Sequence, residues 1–93
     1  MPYAVILSNA AQTDLDSIVQ YVAVDNPTAA EKLGLELIDV AMSLETLPYR
    51  GTQVRKNQNV RKLIHSNYVI TYRIVESNQT VQVLGFTHCA RIK

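Results

Sequence analysis

Ninety-three residues allow one domain and leave no room for a second core. With 47% hydrophobic and 18% charged residues, and only three Gly and three Pro, the chain is too apolar for disorder and too poor in breakers for a loop-rich fold. The net charge of +1 conceals a division: residues 1–48 hold seven acidic side chains against Lys32 alone, whereas residues 49–93 hold eight basic ones against Glu76 alone. Two oppositely charged halves in one domain imply two surfaces with different partners, unless the halves neutralise each other where they meet.

The chain opens on the apolar run Ala4-Val5-Ile6-Leu7, which reads as a short strand buried on both faces. No apolar run approaches the ~18 residues that span a membrane. Met1-Pro2-Tyr3 leads into the first run without a basic flank or a small-residue cleavage site, and a single cysteine, Cys89, has no intrachain partner. A reduced, cytoplasmic protein is expected.

Ser8 or Asn9 can cap the next element, and Asn9 with Gln12 three positions later makes a capping-box arrangement. Ala11, Leu15, Ile18, Val19 and Val22 then recur at helical spacing, which predicts an amphipathic helix ending near Asp25. Asn26-Pro27 starts a second helix, with Pro at a position where its missing N–H costs nothing. Ala30, Leu33, Leu37, Val40, Leu44 and Leu47 form its packing seam, and Pro48 ends it. So short a connection makes the two helices an antiparallel hairpin. Gly34, inside the second helix, points to a close helix approach.

Beyond Gly51 the apolar period falls to two. Val60 to His65, Tyr68 to Val75 and Val81 to His88 read as strands, joined by Ser66-Asn67, with Asn supplying a positive φ, and by the polar turn Glu76 to Gln79; residues 53 to 57 allow one more short strand. The expected fold is a two-layer α+β domain over residues 1–93: an N-terminal strand, a helix hairpin and an antiparallel sheet of three to four strands. Pairing 65 with 68 and 76 with 79 places Leu63, Tyr68, Ile70, Tyr72, Ile74, Val81 and Val83 under the helices, with Arg61 and His65 at the margins. The other face collects Val60, Lys62, Ile64, Val69, Thr71, Arg73, Gln82, Leu84, Phe86 and His88, a basic and partly apolar platform. Phe86 and His88 depend on the second turn, because a one-residue slip exchanges the faces.

Candidate chemistry is sparse. His88 and Cys89 are strand neighbours that point to opposite faces and do not form a thiol–imidazole pair. Two histidines and one cysteine lack metal-ligand spacing, Gly34, Gly51 and Gly85 form no phosphate loop, and no metal or cofactor is expected. His65 beside its turn reads as a solvated surface residue. What remains is a basic set of Arg55, Lys56, Lys62, Arg73 and Arg91 with His88 among them, suited to RNA phosphates, to an acidic protein surface, or simply to solvent.

Six segments in order, Ala11 to Tyr21, Asn26-Pro27 with Ala29-Ala30, Leu47-Pro48 with Gly51, Val60 to Leu63, Tyr68 to Arg73, and Val83-Leu84 leading to His88 and Arg91, resemble the RelE/ParE superfamily of toxins from bacterial toxin-antitoxin systems, nearest the ParE or plasmid-stabilisation branch. The resemblance covers nearly the whole chain and implies the fold derived above, with the first strand beside the last. It implies two competing activities. RelE-like members are endoribonucleases that cut messenger RNA on the ribosome; here Lys62, Arg73, His88 and Arg91 would serve. ParE-like members inhibit DNA gyrase without a catalytic site of their own. Ile64 stands where RelE-like members carry an arginine before the central hairpin, and no tyrosine follows Tyr72, which favours the gyrase inhibitor. The resemblance further implies a cognate antitoxin, which would lay a helix into the hairpin groove and extend along the sheet to give a hetero-oligomer. A toxin-derived interaction module without activity is the third reading.

Overall fold

The computed structural model describes residues 2–54 and 57–89. The elements follow as β1 (Ala4–Leu7), α1 (Asn9–Asp25), α2 (Pro27–Met42), a 3-10 turn (Ser43–Glu45), β2 (Thr52–Val54), β3 (Asn57–His65), β4 (Tyr68–Val75), a second 3-10 turn (Glu76–Asn78) and β5 (Thr80–His88). The sheet order is β1-β5-β4-β3-β2, antiparallel except where β1 runs parallel to β5. This is the expected two-layer α+β architecture. The sheet has five strands rather than three to four, because β1 and the short β2 both join the meander.

Ser8, not Asn9, caps α1: its Oγ accepts from the Ala11 amide at 3.1 Å, while Gln12 Nε2 donates to the Leu7 carbonyl at 3.1 Å instead of closing a capping box. Asn26 caps α2 as expected, with Oδ1 accepting from Ala29 N at 3.0 Å and Pro27 opening the helix. The hairpin closes tightly at Gly34, where a Cβ would stand 3.0 Å from Val19 Cγ2. The α2 seam is buried at Ala30, Leu37, Ala41 and Leu44, but the α-helix stops at Met42 and Leu47 is exposed. The 3-10 turn rotates the chain before Pro48, so the helical period no longer carries Leu47 inward.

The core lies between α1, α2 and one face of the sheet. Tyr72, Leu37, Leu44, Ile70, Val81 and Val83 are its largest fully buried side chains. β1 departs from the expected strand buried on both faces: Ile6 is 53% exposed, because β1 is an edge strand whose outer face no helix covers. At Ser66-Asn67 the positive φ falls on Ser66 (56°) and not on Asn67, as in turns strained only at their first central residue. His65 pairs with Tyr68 as predicted.

The second hairpin starts in the predicted register, Val75 opposite Thr80 and Tyr72 opposite Val83. It then steps to Thr71 opposite Gly85, so that Leu84 has no partner in β4. This β-bulge exchanges the faces of the remainder of β5. Phe86 pairs with Ile70 and is buried in the core, and His88 pairs with Tyr68, both on the helix side rather than on the open platform where the uniform register placed them.

Candidate functional site

The face of the sheet away from the helices is organised by register into three rungs. Ile6, Gln82, Arg73 and Val60 cross four strands in one. Thr71, Lys62 and Thr52 form the next, and Thr87, Val69 and Ile64 the third. Lys62 and Arg73 are both exposed and stand on adjacent strands one rung apart. Ile64, 68% exposed, and Ile6 add apolar area on either side. A polar cleft lined by Asn59, Arg73, Val75, Glu76 and Ser77 extends this face past the end of β4. A cation pair flanked by the exposed Ile6 and Ile64 suits a flat partner surface carrying negative charge.

His88 does not join that pair. Its ring meets Tyr68 edge-to-face, centroids 5.1 Å apart at 88°, on the opposite side of the sheet. The hairpin end beside it is closed by the Cys89 amide donating to the Asn67 carbonyl at 2.7 Å. His65 lies on the same side, with Nε2 3.8 Å from Glu36 Oε2 of α2. Of the basic set, Arg55, Lys56 and Arg91 lie outside the described residues. The sheet thus brings Lys62 and Arg73 together and turns His88 away. Among the described residues no three His, Cys, Asp or Glu side chains gather as a metal site, and no helix is long and apolar enough to cross a membrane.

A second polar cluster fixes one end of the platform; the sequence pattern placed Tyr72 and Arg61 on the helix side and Glu76 in a turn, but did not bring them together with Tyr3 and Tyr49. The Tyr72 hydroxyl, at the centre of β4, donates to the Pro48 carbonyl at 2.7 Å and accepts from the Gly51 amide at 3.0 Å. Burial pushes the Tyr72 phenol up from its usual range, against the opposing effects of the Gly51 amide and the charges of Arg61 and Arg50. Arg61 Nη1 donates to the carbonyls of Gly51 (2.7 Å) and Tyr49 (3.3 Å), and its guanidinium lies 5.0 Å from the centroid of the Tyr49 ring. The phenols of Tyr49 and Tyr3 both donate to the Glu76 carboxylate. The Glu76 hydrogen bond, followed by that of Tyr3, raises the Tyr49 pKa far above its usual value. This cluster ties the segment after α2, the residue preceding β1 and the β4–β5 turn to one another.

The helical side offers a different surface. A groove of about 340 Å³ runs between α1 and α2, floored by Leu15, Val19, Ala30 and Gly34 and rimmed by the exposed Asp16 and Glu31.

A family model described as the ParE toxin of the type II toxin-antitoxin system, parDE, matches residues 5–93. No curated protein matches the sequence significantly. Among solved structures, the chain is similar to the toxin-antitoxin complex RelBE2 of Mycobacterium tuberculosis, with TM-score 0.75, 23% identity, and coverage of 95% of this chain and 99% of that one. It is similar to the chromosomal ParDE system of P. aeruginosa, with TM-score 0.76 and 19% identity over 92% of this chain and 95% of that one. The isolated E. coli RelE toxin matches with TM-score 0.64 and 18% identity, covering 98% and 88%.

Proposed function

Because the chain belongs to the ParE toxin family of type II toxin-antitoxin systems, we propose that it is a ParE-like toxin of the cytoplasm that inhibits DNA gyrase and is neutralised by a cognate antitoxin. The observation that carries this reading is the bulge at Leu84. It places His88 against Tyr68 and away from Lys62 and Arg73, so the described open face holds cations and apolar side chains without an imidazole beside them. Such a face suits a protein or protein–DNA surface recognised through shape and charge, as expected of an inhibitor without a catalytic site of its own.

The antitoxin has two openings. The groove between α1 and α2 accepts an amphipathic helix, and β1 leaves one edge of the sheet available for strand addition. Similarity to toxin–antitoxin complexes from M. tuberculosis and Pyrococcus horikoshii supports such a partner and a hetero-oligomeric resting state.

A supercoiling assay tests the target. Relaxed plasmid should remain relaxed, or be cut, when gyrase and micromolar toxin are combined; normal supercoiling would remove the gyrase reading. The ribonuclease alternative draws on the same exposed Lys62 and Arg73 with His88 and Arg91, and it requires messenger RNA to be cleaved in the ribosomal A site. Intact message at growth arrest excludes it. Harmless expression without antitoxin would leave the inactive interaction module.

A further inference from the structure

Among the described residues the two charged halves are not tied together by Lys or Arg ion pairs: the single ion pair is His65 with Glu36, and no Lys or Arg pairs with any carboxylate. Asp16 and Glu31 stand exposed on the rim of the helix groove, and the outer side of α2 adds the exposed apolar residues Leu35, Ile38 and Met42. On the opposite layer, Lys62 and Arg73 stand exposed between Ile6 and Ile64. One molecule therefore presents an acidic apolar face and a basic apolar face back to back. With a net charge of only +1, copies meet almost no long-range repulsion.

We propose that this chain associates with copies of itself head to tail, the acidic groove of one copy seated on the basic open sheet face of the next. The complementary patches are different surfaces on opposite layers. The contact is thus heterologous and leaves a free acidic face and a free basic face at the two ends, so association continues beyond a dimer instead of closing. Charge complementarity orients the contact, and the apolar residues within each patch supply the area removed from water. The proposal is independent of the toxin's target.

Sedimentation velocity of the purified chain tests it. At about 0.02 M salt the weight-average sedimentation coefficient should rise with protein concentration, and at about 0.5 M salt, where screening acts within a few ångströms, the apparent dissociation constant should rise at least about tenfold. Asp16→Lys with Glu31→Lys, and separately Lys62→Glu with Arg73→Glu, should each give monomers at low salt. All four positions are exposed, and circular dichroism verifies that the variants fold; the single changes Glu31→Lys and Lys62→Glu act in the same direction. Mixing the two double variants should restore association, because the hairpin of each then faces a sheet of opposite charge on the other. A wild-type chain that stays monomeric at low salt, or association that survives high salt and both sets of charge reversals, overturns the proposal.

Discussion

The Asp14 carboxylate accepts a hydrogen bond from the backbone amide of Phe86, with Oδ2 3.1 Å from the nitrogen. The bond joins the first turns of α1 to β5 immediately past the bulge at Leu84, across 72 residues of sequence. The same Oδ2 stands 2.8 Å from where a side chain on Gly85 would place its Cβ. Helix, bulge and glycine form one unit. Its effect is to put the Phe86 ring in the core and His88 beside Tyr68.

Asp14→Ala leaves the Phe86 amide without its acceptor in a partly buried position. A loss of about 1.5–3 kcal/mol is expected, the range for hydrogen bonds to charged groups. Urea denaturation of wild type and variant measures it, and a difference below about 0.5 kcal/mol, the level of an ordinary surface substitution, would show that the bond does not hold the bulge.

Gly85→Ala should destabilise by about 1–3 kcal/mol through the clash with the Asp14 carboxylate. Because the obstructing atom ends a side chain, combining Gly85→Ala with Asp14→Ala should cost less than the sum of the two. A double-mutant cycle reads this coupling, and strict additivity would place the strain elsewhere.

Gly51 is less forgiving. A Cβ there would stand 2.7 Å from the Tyr72 hydroxyl and 2.8 Å from the Lys62 carbonyl oxygen, and the latter is backbone that cannot swing aside. Gly51→Ala should therefore cost more than Gly85→Ala in the same denaturation experiment. Tyr72→Phe removes the donor to Pro48 and the acceptor for Gly51, with an expected loss of about 1–3 kcal/mol.

Stability should fall in alkali. Tyr49 is held protonated in the fold by Glu76, and Tyr72 is held so chiefly by burial, each above the ordinary phenol value of 10.0. A raised folded pKa means that above pH ~10 the unfolded chain releases protons that the folded chain keeps, so the stabilisation is complete below that pH and is lost as pH rises toward the folded values. Thermal unfolding between about pH 8 and pH 11 should show a declining midpoint, and Tyr49→Phe should flatten the decline.

On the proposed function, Lys62→Glu with Arg73→Glu should abolish growth arrest in cells, whereas His88→Gln should retain it, since His88 faces away from the platform. Plating cells that express each variant without antitoxin distinguishes the cases. If His88→Gln alone removes toxicity from a folded protein, the ribonuclease reading gains.

Most of the architecture was legible in the linear pattern because it depends on local chemistry. Asn26-Pro27 capped the second helix where the cap rule placed it, the helical seam from Ala30 to Leu44 faced the core, and the two-residue turn at Ser66-Asn67 set the first hairpin register. The platform cations Lys62 and Arg73 followed from that register by simple alternation. Tyr3, Tyr49 and Glu76 carried no such signal, since they lie far apart in the chain and meet only when β1, the segment after α2 and the β4–β5 turn are folded together.

Alternation along β5 held as far as Val83 and failed beyond it. Period-two reasoning assumes that every residue of one strand has a partner on the next, and nothing local to Val83-Leu84-Gly85 marks the exception apart from the glycine itself. The exception is stabilised by Asp14, a helix residue 72 positions away, through a bond that exists only once α1 is packed on β5. The amino-acid sequence alone thus determined the element order, the division of charge and the placing of Lys62 and Arg73 on the open face. The tertiary structure decided which side of the sheet received Phe86 and His88, because the face of a strand beyond a bulge is settled by contacts between elements and not by the strand's own period.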